Sequence, residues 1–285
     1  MVKKREWQHH SVVKPLDNLE VMTARFYDHT YTKHYHDGYA LALILEGAET
    51  YLWNHKRHTA PKGSVIVINP AEIHNGHALD RKQGWKYFVM YPHLSLVKKS
   101  LADMGMNPDR LPWFPETVIK NAGIGKKILE FMKANEDQEP SLAMEILFLE
   151  LFSLLIQGHA EFSTRGGHPD HGGFGKVKRV TDKIYSLYDT PLTLESLAKE
   201  EGVSSFSLLR LFKKHKGVTP YLMLTSLRIN KAKSCLRSNH SFADTAFMCG
   251  YSDQSHMTKQ FKKWIGITPG EYQRSNRKNY PNTKK

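Results

Sequence analysis

The pattern Phe-Lys-Lys-x-x-Gly-x-Thr-Pro occurs twice in this chain, as Phe212 to Pro220 (FKKHKGVTP) and as Phe261 to Pro269 (FKKWIGITP), offset by 49 residues. Repetition at that length implies two copies of one supersecondary unit. The likeness runs backward: Arg210 aligns with Lys259, Leu208 with Met257, and Ala198 with Ala246 at an offset of 48. One extra residue near Ser252 and Asp253 accounts for the change of offset.

Each copy reads as helix, turn, helix. In the first, Thr193 caps a helix through Glu201, Gly202 ends it, and Ser204 caps a second helix from Ser205 to His215 that Gly217 terminates. In the second, Ser241 starts a helix through Met248, Gly250 breaks it, and another runs from Asp253 or Gln254 to Trp264. Leu194, Leu197, Ala198, Leu208, Leu211 and Phe212 form an apolar set in one copy, and Ala243, Ala246, Met257, Phe261 and Trp264 in the other. Pro220 to Arg237 reads as a helix joining the two, roughly 27 Å long at 1.5 Å per residue.

The residues left for the exposed face of each second helix are Phe206, Ser207, Leu209, Arg210, Lys213 and Lys214, and Gln254, Ser255, His256, Thr258, Lys259, Lys262 and Lys263. Arg and Lys can donate to guanine, Gln can pair with adenine, and apolar side chains can touch the thymine methyl. The lysine pairs suit phosphates, which set affinity and register. The competing reading is a solvated basic face, which repetition with matched turn glycines argues against.

Charge placement agrees. Lys and Arg number 41 against 28 Asp and Glu; before Gly173 the balance is 20 against 20, and from Gly173 onward 21 against 8. A neutral half precedes a polycationic one. Between them, Gly158 to Gly175 is rich in Gly and holds His159, His168 and His171, which reads as a flexible linker spanning roughly 20 to 25 Å.

In the neutral half, short β-type runs are expected at Tyr39–Leu45, Glu49–Trp53, Ser64–Ile68 and Trp85–Tyr91, giving a small barrel or sandwich. Helices are expected around Gly123–Asn135 and Ser141–Ile156. The second is apolar nearly all round, so it packs inside its own domain, meets another subunit, or does both. Cys235 and Cys249 are too few for a disulfide scaffold or zinc cluster, and no run of 18 apolar residues occurs, so a cytoplasmic protein without a membrane span is expected. No nucleophile–base arrangement, Walker loop or dinucleotide fingerprint is present, and no enzyme is expected.

The stretch Gly173 to Arg274, with its double unit, the joining helix carrying Arg228 and Ala232, and the closing FKKWIGITPGEYQR, resembles the DNA-binding domain of the AraC/XylS family of bacterial transcription regulators. The resemblance implies base readout by Phe206, Ser207, Leu209, Arg210, Gln254, Ser255, His256, Thr258 and Lys259 in two adjacent major grooves of double-stranded DNA. Leu209 departs from the polar residue frequent there, and a thymine-methyl contact would substitute. It also implies a homodimer and contact with RNA polymerase.

His34-Tyr35-His36, with Gly47, Pro61, Gly63, Asn69-Pro70 and His74, resembles the cupin-like sensor barrel that precedes this DNA-binding domain in many members. Metal-binding cupins add a Glu a few residues after the early histidines; here Asp37 is too close, and Ala40 and Leu41 stand in its place. No metal or other cofactor is therefore expected. A small effector is expected against His34, His36, Tyr39, Trp53, His74, Trp85 and Tyr87, of a class (sugar, amino acid or aromatic acid) that no residue pattern decides.

The expected plan is α+β: residues 1–158 a cupin-like sensing and dimerisation barrel with appended helices, 159–175 a linker, and 176–285 an all-α domain of two helix-turn-helix units on a linker helix. The expected function is a sequence-specific, effector-controlled DNA-binding activator. The alternative is a metal-dependent cupin sensor or enzyme fused to a DNA-binding domain.

Overall fold

Alternation of side chains along a strand sends every second residue to the same face, and in the first half of this chain both faces are apolar. The result is a sheet covered on each side. The structure, a computed structural model, describes residues 5–54, 56–162 and 173–277. It divides into two compact units, within residues 1–164 and 165–274. Most of the expected linker, residues 163–172 with His168 and His171, lies outside the described residues.

The first unit contains β1 (Trp7–Val13), β2 (Leu19–Phe26), β3 (Thr30–His34), β4 (Ala40–Trp53), β5 (Lys56–Pro61), β6 (Val65–Ile68), β7 (His74–Ala78), β8 (Trp85–Tyr91) and the short β9 (Val118–Ile119). One sheet has the order β1-β2-β8-β4-β6-β9; the other runs β3-β7-β4-β5. All described pairings between these strands are antiparallel, and β4 belongs to both sheets. Its first half pairs with β6 and β8, and its second with β5 and β7. This joins the strands into the cupin-like β domain of the expected α+β plan.

The runs Tyr39–Leu45 and Glu49–Trp53 are thus one strand of 14 residues. Gly47 lets it bend without ending: its φ is +68°, and a Cβ there would lie 2.0 Å from the Gly84 carbonyl oxygen. Against β8, Ile44 pairs with Tyr87 and Glu46 with Lys86, so β4 carries one extra residue, a bulge. That residue inverts the parity of the strand. Ala40, Ala42 and Ile44 face the barrel interior before it, and Tyr51 after it.

The outer face of the large sheet, with Leu41, Leu43, Val65, Val67, Phe88 and Met90, packs beneath α1 (Leu94–Asp103), α2 (Ala122–Glu136) and α3 (Ser141–His159). Asn121 caps α2 by accepting from the Gly123 and Ile124 amides. By length and composition α3 could cross a membrane. In the fold it instead buries Met144, Phe148, Leu151, Phe152, Leu155 and Ile156 in this core, while Leu142 and Ile146 remain 68% and 47% exposed.

The second unit is all helical: α4 (Phe174–Ser186), α5 (Leu194–Glu200), α6 (Ser205–Lys216), α7 (Pro220–Arg237), α8 (Phe242–Met248), α9 (Gln254–Ile265) and α10 (Pro269–Arg277). Thr193, Ser204, Thr219, Ser241 and Asp253 each cap the following helix with a side-chain oxygen, and Gly217 and Gly266 end α6 and α9. Of the expected apolar sets, Ala243 is exposed instead.

The bend in β4 yields a test. Gly47→Ala forces both a left-handed alanine, roughly 1–2 kcal/mol, and a backbone collision, whereas Gly63→Ala, with φ +84° and nothing within 4 Å of its Cβ, meets only the first. Urea denaturation is expected to show a larger loss for Gly47→Ala; equal losses would refute the close-approach argument.

Candidate functional site

The two units of the helical half are fixed to each other through α7. The Arg228 Nε and Nη2 donate to the carbonyls of Tyr188 (2.7 Å) and Thr190 (2.9 Å) in the α4–α5 turn, and its guanidinium lies 5.9 Å from the Tyr251 ring in the second unit. Gly250 (φ +71°) completes the seam, because a Cβ there would sit 2.6 Å from the Asp189 carbonyl oxygen. Near the start of α7, Gln260 of α9 donates to the Tyr221 hydroxyl at 3.2 Å.

On this frame α6 buries Leu208 and Phe212 and exposes Phe206, Ser207, Arg210, Lys213 and Lys214. Arg210 lies 6.0 Å from the Phe206 ring one turn earlier. On α9, Met257 and Phe261 are buried, and Gln254, Ser255, His256, Lys259, Lys262 and Lys263 are exposed. The His256 amide donates to Asp253 (2.7 Å), and its Nδ1 lies 3.2 Å from the Ser252 hydroxyl. The His256 backbone hydrogen bond holds the Asp253 carboxyl below its ordinary range.

Two expectations about exposure fail. Leu209 is half-buried and lines a small apolar cavity with Ile184, Leu194, Leu197 and Leu224, because a leucine beside the α5–α7 groove gains more from burial than from water. Thr258 is half-buried as well.

The cations of the unit fall into two groups. On α4, Lys178 pairs with Asp182, Arg179 with Glu201, and Lys183 with Glu200. Among the described residues no ion pair engages Arg210, Lys213, Lys214, Lys259, Lys262 or Lys263.

Inside the barrel the lining is mixed. Ala24, Ala40, Ala42, Ala60 and Ala78 take little volume beside Phe26, Trp85 and Tyr87, the last two stacked 6.0 Å apart. The Tyr31 and Tyr87 hydroxyls are hydrogen-bonded at 2.8 Å. Glu49 sits among Tyr31, Tyr51 and Tyr87; burial holds its carboxyl protonated, with its pKa pushed up to about 8. Glu49 and Tyr31 are half-buried. The sequence reading missed both, since neither stands in a recognisable spacing; their place follows from the bulge in β4 and the β3–β7 pairing.

Of the expected effector residues, His34, His36 and His74 converge, with one imidazole nitrogen of each within 4.8 Å of the other two. Beside them the Trp53 indole donates to the Glu72 carboxylate. Burial, reinforced by His34, pushes His74 well below the ordinary imidazole range. Trp85 and Tyr87 face the interior. Tyr39 does not: it packs in the core under the helices, donates to the Pro112 carbonyl (2.6 Å), and meets Phe114 edge-on. Its parity on β4 is that of Leu41 and Leu43. A further cleft of about 410 Å³, lined by His9, Asn135, Glu136 and Met144 among others, lies outside this interior.

A barrel whose interior holds buried polar groups, carried in one chain with paired helix-turn-helix units, defines a ligand-responsive DNA-binding regulator. Residues 18–152 match the model of the AraC-like ligand binding domain, and residues 197–275 match that of a helix-turn-helix domain. The chain belongs to the AraC family of transcription regulators. It is 29% identical over 228 residues to the uncharacterized HTH-type transcriptional regulator YbfI of Bacillus subtilis, covering 80% of this chain and 81% of that one. It is 25% identical to the HTH-type transcriptional activator RhaS of Pectobacterium atrosepticum, covering 84% and 86%. In fold it resembles ToxT from Vibrio cholerae O395 (TM-score 0.59, 14% identity, 91% of this chain and 98% of that one). It also resembles unsaturated fatty acid bound ToxT from strain SCE256 (TM-score 0.58, 16% identity, 92% and 96%).

The raised Glu49 pKa has a stability consequence. The folded chain holds a proton there between pH about 4.5 and about 8 that the unfolded chain releases, so the group's contribution is fully present at low pH and lost as pH rises through that window. Melting temperatures of wild type and Glu49→Gln, compared at pH 5 and pH 8, are expected to diverge, with wild type losing more; a pH-independent difference would count against a protonated Glu49.

Proposed function

We propose that this chain is a cytoplasmic transcription activator that reads two adjacent major grooves with α6 and α9 and responds to a small polar effector in the barrel. The supporting observation is the contrast among its cations. Lys178, Arg179 and Lys183 of α4 are matched with carboxylates, whereas Arg210, Lys213, Lys214, Lys259, Lys262 and Lys263 stand exposed with no ion pair among the described residues, as an interface for phosphates and bases requires. Phe206, Ser207, Arg210, Gln254, Ser255, His256 and Lys259 are assigned to bases, and Lys213, Lys214, Lys262 and Lys263 to phosphates. Leu209 and Thr258 are assigned supporting positions at the edge of that surface. RhaS and RhaR, to which the chain is similar, are described as activators, which supports activation and contact with RNA polymerase here.

For the effector, the hydroxyls of Tyr31 and Tyr87, the carboxyl of Glu49 and the imidazoles of His34, His36 and His74 favour a compact hydrogen-bonding molecule. Trp53 supplies an apolar wall, and the fully buried Trp85 packs in the core of the barrel. We assign sensing and dimerisation to residues 1–158, a connecting role to 159–175 and DNA binding to 176–285, without catalysis. Comparable likeness to a regulator bound to an unsaturated fatty acid makes a carboxylate-bearing effector one member of the class to test.

Arg210→Ala and Lys259→Ala are each expected to cost roughly 1–3 kcal/mol on a selected site and to relax base preference there. Binding measured on that site and on random DNA separates the readings: equal losses on both would leave only an architectural, sequence-independent binder.

The homodimer is assigned to the outer face of the helical layer, where Leu129, Leu142, Ile146 and Leu154 are 43%, 68%, 47% and 42% exposed. Leu142→Glu with Ile146→Glu is expected to shift sedimentation of the full chain from dimer to monomer while the circular dichroism spectrum is retained. A dimer that survives the double change would move the interface elsewhere.

A further inference from the structure

We infer that His34, His36 and His74 form a three-imidazole site for one divalent first-row transition ion, with an open coordination position. His34 on β3 is the register partner of His74 on β7, so antiparallel pairing sets the two side chains beside each other. His36 follows two residues later, and its carbonyl accepts from the Ala71 amide at 2.8 Å, tying it to the turn that leads into β7. In that turn Ala71 holds a left-handed φ of +62°, an unusual conformation for alanine. The three rings lie 4.3 to 5.1 Å apart centre to centre.

The tautomers suit coordination. His34 Nδ1 lies 2.7 Å from the Thr32 carbonyl and His74 Nδ1 3.1 Å from the Glu72 carbonyl. Each Nδ1–H donates to a backbone oxygen, which leaves Nε2 of His34 and of His74 to carry the lone pair, the arrangement in which metal-binding histidines are commonly held. Nitrogens bonded at 2.0–2.1 Å to a tetrahedral ion stand roughly 3.4 Å apart. The three here lie within 4.8 Å, so ring rotations that draw each nitrogen inward by about an ångström complete the site.

Imidazoles suit zinc, iron(II), cobalt, nickel and copper and not magnesium or calcium. Three protein ligands leave a position for water or for an oxygen or nitrogen of a small molecule. The expectation of no metal rested on the missing cupin glutamate; a set of three histidines does not require it. The use of the open position by an effector rests on the sensor reading above, whereas the metal site does not.

The test is titration of metal-stripped full-length protein with cobalt(II), followed by its visible d–d absorption, with zinc as competitor. One ion per chain is expected. His36→Ala and His34→Gln are each expected to weaken binding by more than the roughly 10–100-fold that loss of an outer hydrogen-bond partner costs. Replacing His159, His168 and His171 together is expected to change nothing. Absence of a stoichiometric signal, or a signal that survives in His36→Ala and disappears with the other three histidines, would overturn the proposal. Sequence-specific DNA binding measured on the same metal-free protein stands or falls independently, so failure of the metal site and failure of the regulator reading are distinguishable.

Discussion

One guanidinium joins the parts of the helical half that must move together. Arg228 leaves α7 and reaches two carbonyls in the α4–α5 turn while facing Tyr251 beyond α8. Burial disfavours its charged form and pulls its pKa down, so the site is expensive for a cation unless those carbonyls are held in place. The glycine at 250 makes the same demand sterically, because any side chain would occupy the space of Asp189. Two helix-turn-helix units on a single helix would otherwise be free to pivot about it. Reading helices of independent orientation lose the entropy of alignment on binding; locked ones have lost it already.

The barrel depends on a comparable local device. A single extra residue in β4 changes which side chains face inward, so that one strand covers the helix-facing core with Tyr39, Leu41 and Leu43 and later lines the interior with Tyr51. Without the bulge, the strand would present the same parity to both sheets and Glu49 would turn away from Tyr31 and Tyr87. The interior's polar groups are therefore a consequence of register.

Legibility in the sequence follows the range of the forces involved. The helix-turn-helix elements were readable to within a residue or so because caps and terminating glycines act over three or four positions. Strands β1, β2, β3, β5, β7 and β9 were not among the expected runs; HNGHA of β7, for example, holds no β-former, and pairing partners far along the chain decide it. Convergence of His34, His36 and His74 was legible as a list, but their register and tautomers were not. Tyr39 and Leu209 were misplaced for one reason, that each was read by residue type when parity or a neighbouring groove determined its surroundings. Glu49 had no signature at all, since a lone glutamate in a strand ordinarily faces water.

An interior of this kind constrains how an effector can control the protein. Moving a two-state population from 1:99 to 99:1 takes about 5.5 kcal/mol of differential affinity. Apolar contact with Trp85 or Phe26 can do little to discriminate between states, because those side chains are already buried in the core. Discrimination falls to groups whose interactions a ligand can exchange: the Tyr31–Tyr87 hydroxyl pair, the protonated Glu49 and the imidazole cluster. A net hydrogen bond between neutral groups contributes about 0.5–1.5 kcal/mol and one to a charged group about 1.5–3 kcal/mol, so two or three exchanges reach the required range only for an effector that brings a charge. An effector that offered only hydrophobic bulk would bind both states alike and shift neither.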